Sequence, residues 1–255
     1  MPVTVSELTT APVKGMRLQR THEIQLGEQG ITGDREFLVV GADGILLITG
    51  KTPALLQIEP AWDRERDVLA LRFPDGTVVQ DTPKPGAAAV TRMYDGREIP
   101  GWIVPGPLSA ALSDFLGRDV HLFKREPEHI GHDDEPVTLM SEATLRALAT
   151  EFNGTTPDPR RFRMTMTVTG TDAWAEHGWG DREISVGEGI LRVLAPVPRC
   201  VVTTRNPDSG ATDAKVLHAL ARLRGKNDIT FGIWCAIIRP GSIHVGDLVA
   251  IGDDA

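Results

Sequence analysis

Short runs of β-branched and aliphatic residues recur along the chain, and glycine or proline interrupts them before any run becomes long. The 255 residues include 26 glycines and 18 prolines. Both residues disfavour helix interiors, and proline also removes a hydrogen-bond donor from a sheet. Many short strands joined by turns are therefore expected, as in barrels and sandwiches. The runs that predict strands are Val3–Val5, Phe37–Val40, Ile45–Thr49, Val68–Phe73, Met164–Thr169, Ile190–Val193, Val201–Thr204, Trp234–Ile238 and Leu248–Ile251.

Three amphipathic patterns predict helices among these strands. Apolar residues of Leu108–Leu116 repeat at helical spacing, and Gly117 follows as a helix terminator. A second pattern, Ser141–Phe152, begins with a residue that favours the N-cap position. The third pattern covers Asp213–Gly225. We therefore expect a mostly β fold with flanking helices, in the α+β class.

A stretch rich in proline and glycine, Thr82–Gly86, divides the chain. Such a stretch cannot sustain a central strand or a helix. It predicts one domain over residues 1–85 and a second over residues 90–255, with the helix at 107–117 assignable to either.

Composition excludes several classes of protein. Lys and Arg number 27 against 35 Asp and Glu, a net charge of −8. Nucleic-acid binders usually need a basic face, so this balance argues against a nucleic-acid partner but leaves room for one small anion. No apolar run approaches the ~20 residues of a membrane span. The first residues lack the basic and apolar regions of a signal peptide, so we expect a cytoplasmic protein.

Two cysteines cannot form a disulfide framework or a four-thiolate metal site. Cys235 lies in the apolar run Phe231–Ile238, which predicts a place in the core. Cys200 lies between Arg199 and Arg205, and positive neighbours favour a thiolate. Sequence neighbours on a strand point to opposite faces, so a buried structural thiol remains an open alternative for Cys200.

Three basic residues lie in segments that could present them to an anion. Lys14 follows proline in a tight turn, Arg35 ends a glycine-containing turn, and Arg163 precedes a predicted strand. Each could neutralise a phosphate, and each could equally be a solvated surface cation. The segment His129–Glu135 is polar and interrupted by Gly131, which favours a solvated loop over a metal site.

In this order, the segments resemble the MOSC family, whose domain is found at the C-terminus of molybdenum cofactor sulfurases. They are most similar to the two-part form with an N-terminal β-barrel domain, as in the mitochondrial amidoxime-reducing component and its bacterial relatives. The most specific segment joins Arg199–Thr204 to Pro207–Gly210. The other matching segments are Ala11–Gly15, Gly33–Phe37, Leu139–Ala143, Arg161–Arg163, Gly178–Trp179, Phe231–Gly232 and Pro240–Asp247.

The resemblance implies an N-terminal β-barrel domain followed by a MOSC β-barrel domain, and a molybdenum-pyranopterin cofactor. In the family the cysteine of the most specific segment ligates the metal, which assigns the catalytic and metal-binding role to Cys200. The family positions that hold the cofactor match Lys14, Arg35, Lys51, Ser141, Arg163, Thr203, Thr204 and Asp208.

The chain departs from the family pattern at two places. Lys51 stands where relatives usually carry arginine, so the planar fork of a guanidinium is lost. Met164 and Thr165 replace the usual Pro-Asn, which removes an amide that could contact the pterin.

The resemblance implies a reductase of small N-hydroxylated compounds. Because the chain lacks the thiolates for an iron–sulfur cluster, a separate electron donor of the ferredoxin or flavin/cytochrome reductase type is expected. No nucleic-acid or membrane partner is expected. Two alternatives remain at this stage: a sulfur-transfer protein that carries a persulfide on Cys200, and a non-enzymatic molybdenum-cofactor binding protein.

Overall fold

The computed structural model describes residues 2–252, and its elements are short. Their bounds in chain order are β1 Thr4–Thr10, β2 Gln19–Thr21, β3 Glu23–Gly27, β4 Gly30–Ile31, β5 Phe37–Gly41, β6 Glu59–Asp63, β7 Val68–Arg72, β8 Val78–Asp81, β9 Ala88–Arg92, β10 Glu98–Val104, α1 Pro107–Leu116, β11 Val120–Arg125, β12 Val137–Ser141, α2 Glu142–Ala147, β13 Met166–Thr169, β14 Glu183–Val186, β15 Gly189–Pro198, α3 Val216–Arg224, β16 Thr230–Arg239, β17 Gly241–His244 and β18 Val249–Ile251.

The largest sheet has eight strands in the order β18-β14-β15-β16-β12-β13-β1-β2. Strand β1 pairs antiparallel with β13, so Leu8 lies opposite Met166. The strands β17, β3 and β4 form a separate small sheet. Apolar residues from both sheets share one core, in which Val5, Leu8 and Ile24 pack with residues from the second half of the chain.

The second core belongs mainly to the first half of the chain. It lies among the four-stranded sheet β5-β11-β10-β9, the three-stranded sheet β6-β7-β8 and helix α1. Helix α1 contributes Leu108 and Leu112 to this core, so it packs with the first half. Within residues 2–252 none of the four sheets closes on itself, and the predicted class, mostly β with flanking helices, is confirmed.

The sheet pairings cross the predicted division between residues 85 and 90. Strand β11, which follows the division, pairs with β5, and β13 pairs with β1. A domain is defined by independent folding, which these pairings do not test, so the division stays a prediction.

The three predicted helices are present with altered bounds. Helix α1 ends at Gly117, whose φ of 63° is the left-handed conformation that glycine adopts easily. Helix α2 ends at Ala147, and the predicted remainder, Leu148–Phe152, is a 3-10 helix. Helix α3 begins at Val216 rather than at Asp213.

Two predicted strands are wrong. Residues Val201–Thr204 form a 3-10 helix, because the hydroxyls of Thr203 and Thr204 donate to carbonyls three residues earlier and stabilise a turn. The run Ile45–Thr49 contributes only an isolated bridge, between Leu46 and Val40. Its end turns back through hydrogen bonds from the Lys51 and Thr52 amides to the Ile48 carbonyl.

No helix within residues 2–252 is long and apolar enough to cross a membrane.

Candidate functional site

The turn that follows β1 places Lys14 against the loop that precedes β12. The backbone of this turn is fixed to β5, because the Lys14 amide donates to the Phe37 carbonyl at 2.8 Å. The Lys14 side chain is only 12% exposed, and its Nζ donates to Asp133 Oδ1 at 2.7 Å and to the Gly131 carbonyl at 3.0 Å. Burial lowers the pKa of Lys14, repulsion from Arg35 and Arg163 adds to this effect, and Asp133 opposes it.

A fully buried carboxylate joins this turn to Arg35. Asp34 is 0% exposed, and its Oδ1 accepts a hydrogen bond from the Ala11 amide at 2.5 Å. Its second oxygen is ion-paired with the Arg35 guanidinium. Arg35 has a φ of 47°, a left-handed conformation that is uncommon outside glycine.

Arg163 ends the 3-10 helix Pro159–Phe162 and shares this conformation, with a φ of 53°. The side chain is half-buried. Burial and the neighbouring Arg35 lower its pKa to about 10, against the attraction of Asp133 and Asp34. Among the hydrogen bonds and ion pairs of residues 2–252, none involves the Arg163 guanidinium. A desolvated guanidinium without a partner is a site that an anion would satisfy.

The loop between β11 and β12 carries the carboxylate that faces these cations. The attraction of Lys14, Arg35 and Arg163 lowers the pKa of Asp133, although burial acts in the opposite direction. The Asp133 side chain is still 62% exposed. The backbone of the loop is anchored independently, because Arg97 Nη2 donates to the carbonyls of His132 and Asp133 at 2.8 Å each.

The prediction that His129–Glu135 is a solvated loop is wrong for His132. This side chain is 4% exposed, and its Nδ1 lies 3.6 Å from Asp34 Oδ2. Burial, together with the nearby Arg35, lowers the pKa of His132 to about 3.

Cys200 lies two residues after the end of β15 and is exposed. The next residues form the 3-10 helix described above, with Thr203 Oγ1 donating to the Cys200 carbonyl at 2.9 Å. Arg199 interacts electrostatically with both Cys200 and Asp133, and it thereby connects the cysteine to the cluster of cations. Burial lowers the pKa of Arg199 to about 10, and the attraction of these two groups opposes this effect. By contrast, Cys235 is completely buried, and burial raises its pKa, which confirms its predicted place in the core.

The segment 49–53 brings the lysine turn and the thiol segment together. A Cβ on Gly15, whose φ is +87°, would lie 2.9 Å from Thr49 Oγ1. A Cβ on Gly210, whose φ is +73°, would lie 2.5 Å from the Pro53 carbonyl oxygen. Glycine at these two positions therefore allows both turns to pack on the same segment. Lys51 lies exposed between the two contacts, next to Gly50, which packs on Val201.

The structure thus brings Lys14, Arg35 and Arg163 together and places Lys51 on the rim beside Val201. Four of the other predicted cofactor-binding residues are occupied by contacts within the chain. Ser141 is buried and caps α2, its Oγ accepting from the Thr144 amide at 3.0 Å. Thr203 and Thr204 bond to their own 3-10 helix. Asp208 is exposed and ion-paired with Arg160 at 2.8 Å. The cofactor roles of all these residues stay predictions.

Sequence reasoning missed Asp34, Asp133 and Arg199 as parts of the site. The signal for Arg199 was present, because it adjoins Cys200. The signal for Asp133 was weak, because it lies in an acidic loop that is typical of solvated surface.

Fold and site together define a mostly β protein in which a cluster of cations, the proposed anion pocket, is coupled through Arg199 to an exposed cysteine. Comparison with known families agrees with this class: the MOSC N-terminal beta barrel domain matches residues 2–118, and the MOSC domain matches residues 126–250. The chain belongs to the MOSC family, in the form that carries this N-terminal domain.

Individual relatives are distant but cover most of the chain. The human mitochondrial amidoxime-reducing component 1 is 25% identical over 96% of this chain and 82% of its own length. The bovine mitochondrial amidoxime reducing component 2 is 27% identical with the same coverage. A molybdenum cofactor sulfurase from Danio rerio is 23% identical over 91% of this chain, which spans only 32% of that protein. The YUAD protein from Bacillus subtilis shares the fold, with a TM-score of 0.50, 14% identity and coverage of 98% and 96%.

Proposed function

We propose that the protein is a molybdenum-cofactor-dependent oxidoreductase that reduces N-hydroxylated compounds with electrons from a separate donor protein. The observation that carries this proposal is the Arg163 guanidinium, which has no hydrogen-bond or ion-pair partner within residues 2–252 and belongs to a cluster of cations that Arg199 joins to the exposed Cys200. Relatives named as amidoxime-reducing components support the reaction class.

The charges of the site fit a phosphate-bearing cofactor. Four cations, Lys14, Arg35, Arg163 and Arg199, are electrostatically coupled to Asp133, and Asp34 is the second carboxylate among them. Four positive charges against two negative charges leave a surplus of two. A phosphate monoester carries a charge of about −1.5 to −2 at neutral pH, which matches this surplus.

The donor set also fits the metal. A thiolate is a soft ligand that suits a metal already held by sulfur atoms, and Cys200 presents its sulfur at the surface next to the cations. In the bound state Lys14, Arg35 and Arg163 would neutralise the phosphate, and Cys200 would ligate the metal. When bound, the cofactor supplies oxygen-atom transfer and electron storage.

Residues around Cys200 would then determine how a substrate is oriented and how it reaches the metal position. The exposed side chain of Val201, at 46%, provides an apolar contact one residue from Cys200. Lys51 adds a positive charge on the same rim and would attract anionic groups. A small substrate would approach the metal position along this rim.

Electrons would have to arrive from a partner. A four-thiolate iron–sulfur cluster needs more thiols than Cys200 and Cys235, and Cys235 is buried in the core. A ferredoxin or a flavin/cytochrome-type reductase is the partner class that we propose, and the cytoplasm is the compartment. We propose no nucleic-acid or membrane partner.

The test is to quantify molybdenum and pterin in the full chain made in a host that synthesises the cofactor. We expect stoichiometric metal in the wild type and in Cys235→Ala, and metal near background in Cys200→Ser. Arg163→Ala should lose pterin and metal together. Full retention of molybdenum by Cys200→Ser would contradict the proposal, and a loaded protein that reduces no N-hydroxylated compound with any donor would mark it as a cofactor carrier.

A second candidate function is sulfur transfer, in which Cys200 carries a persulfide received from a separate sulfur donor. The exposure of this thiol favours it, as does similarity to a protein named molybdenum cofactor sulfurase. Intact-mass spectrometry separates the two candidates. An added 32 Da on wild type that is absent from Cys200→Ser, without bound pterin, would establish sulfur transfer instead of reduction.

A further inference from the structure

Arg199 contacts the turn that contains Arg163 at the residues before and after Arg163. Its Nη2 donates to the carbonyl of Phe162, and its Nη1 lies 3.5 Å from Met164 Sδ. The guanidinium carbon also lies 5.6 Å from the centroid of the Phe162 ring. One side chain therefore contacts the residue before Arg163 and the residue after it, while its own backbone adjoins Cys200.

The direction of the Arg163 side chain depends on this turn. In residues 2–252 the Arg163 guanidinium has no hydrogen-bond or ion-pair partner, so the left-handed backbone, which sets the direction of its Cα–Cβ bond, is the main constraint on the side chain. The backbone is supported at Met164, whose carbonyl accepts from Thr9 Oγ1 at 2.5 Å. At Phe162 the support of the carbonyl comes from Arg199. Losing Arg199 would release one side of the turn and leave the other attached.

The contacts of Arg199 have opposite effects on the stability of the fold. The Arg199 side chain is half-buried, and its Nε is buried without a hydrogen-bond partner among the described residues. A buried donor that stays unpaired is unfavourable, whereas the hydrogen bond from Arg199 to the Phe162 carbonyl is favourable. A role in fixing the turn Phe162–Met164 explains these contacts better.

We propose that Arg199 is a positioning residue, which fixes the turn Phe162–Met164 so that Arg163 points into the anion pocket. This inference rests on the proposed function, because it assumes that the pocket receives the phosphate of a cofactor. It also links the two halves of the site, since the segment that carries the thiol would hold the cation that meets the phosphate.

The test is a double-mutant cycle on the full chain produced in a host that cannot make the pterin. The probe is inorganic phosphate, and its dissociation constant is measured by calorimetry. We expect Arg199→Met and Arg163→Ala each to weaken phosphate binding about tenfold. The double variant Arg199→Lys/Arg163→Ala, which keeps the positive charge at residue 199, should bind no more weakly than Arg163→Ala, because Arg199 acts through Arg163.

The matched control is Arg224→Met. Arg224 also places its guanidinium over an aromatic ring, 4.7 Å from the centroid of Trp174, but pairs with Asp228. Phosphate affinity should be unchanged in this variant. Unchanged affinity in Arg199→Met, or additive losses in the double variant, would overturn the proposal.

Denaturant unfolding gives the readout that a merely structural role would not produce. Arg199→Met removes a buried unpaired donor but also leaves the Phe162 carbonyl without its donor, and these effects oppose each other, so it should unfold close to the wild-type midpoint while binding phosphate more weakly. Arg199→Lys keeps the charge but cannot hold both contacts, so its affinity should fall about threefold to tenfold. This variant also keeps the test valid if the methionine variant does not fold.

Failure of the inference is distinguishable from failure of the proposed function. If wild type binds phosphate, Arg163→Ala loses it and Arg199→Met retains it, only the role of Arg199 is wrong. If wild type and Arg163→Ala bind phosphate equally, or neither binds it, the proposed anion site does not exist. Both the role of Arg199 and the proposed function are then contradicted.

Discussion

Arg35 and Arg163 adopt the same unusual backbone conformation, with φ of 47° and 53°. A non-glycine residue in the left-handed region costs on the order of 1 kcal/mol or more. Both residues supply cations to one pocket, and strain of this kind tends to concentrate at functional sites. Four other non-glycine residues of the described chain share this conformation outside the site, so the conformation adds to the argument from charge and does not replace it.

We predict that Arg163→Gly is more stable than Arg163→Ala by about 1 kcal/mol, because glycine adopts a positive φ without steric strain. Both variants should lose phosphate affinity equally, since both lack the guanidinium. Urea unfolding and calorimetry measure the two quantities. Equal stability of the two variants would show that the left-handed turn is not strained.

The Asp133 carboxylate forms an ion pair with Lys14, and its Oδ1 lies 2.7 Å from the lysine Nζ. A ligand phosphate needs the same lysine, so the carboxylate competes with it. We predict that Asp133→Asn binds inorganic phosphate about fivefold more tightly than wild type, as expected when a competing surface ion pair is removed.

The adjacent residue offers the control for this prediction. Asp134 has the same charge but faces the Tyr94 hydroxyl at 3.3 Å, so Asp134→Asn should leave phosphate affinity close to wild type. Weaker binding by Asp133→Asn would instead assign Asp133 the role of holding the cations together.

The three cations of the pocket could be named from the sequence, because each lies in a turn that matches a family segment. The side chains that surround these cations could not be predicted from the sequence. Asp34 and His132 are 98 residues apart in number, and only the folded chain brings His132 Nδ1 to 3.6 Å from Asp34 Oδ2. Contacts at that separation leave no local pattern in a single sequence.

At the scale of elements, the loop between β11 and β12 depends on a neutral histidine. Burial is the main reason that the pKa of His132 is lowered to about 3, and Arg35, Lys14 and Arg125 lower it further while Asp34 opposes them. An unfolded histidine has a pKa of about 6.5. Between these values the unfolded chain binds a proton that the folded chain does not, so stability is complete above pH 6.5 and falls as the pH decreases towards 3.

We therefore predict that His132→Asn loses less stability than wild type between pH 7.5 and pH 5.0. The difference should be about 2 kcal/mol, the free energy of protonating one unfolded histidine at pH 5.0. Urea unfolding at the two pH values measures it. The exposed His22 provides the control, and His22→Asn should follow wild type; identical pH profiles for wild type and His132→Asn would contradict the prediction.

The local sequence predicted helix termini well and the thiol segment poorly. Gly117 ends α1 and Ser141 caps α2, because these effects arise within a few residues. The run Val201–Thr204 has strand propensity, yet it forms a 3-10 helix. Side-chain bonds from its two threonines to nearby carbonyls outweigh the weak preference of β-branched residues for sheets.

At the scale of the molecule, the core of the second half is completed by the first. Five of its buried apolar residues, Val5, Leu8, Ile24, Leu26 and Ile31, precede the segment matched by the MOSC domain. Fully burying one such side chain contributes about 1.5–3 kcal/mol, so their sum of roughly 7–15 kcal/mol is comparable to the whole stability of a domain.

We predict that a fragment of residues 126–252 does not fold natively alone. Its amide NMR spectrum should lack dispersion, and co-expression with residues 2–125 should restore the native spectrum through complementation. A well-dispersed spectrum of the isolated fragment would show that the second half folds independently.

The position of β1 in the eight-stranded sheet also has a consequence in time. Ser6 on β1 donates to the carbonyl of Thr167, a residue 161 positions later in the chain. Ribosomes add about 5–20 residues per second, so β1 leaves the ribosome roughly 8–30 s before its partner strand is made. During this interval the core of the first half can form and β1 can pair with β2, while the edge of β1 that meets β13 stays unpaired. Strand β1 is thus made well before β13, yet it completes its pairing only after β13 has been synthesised.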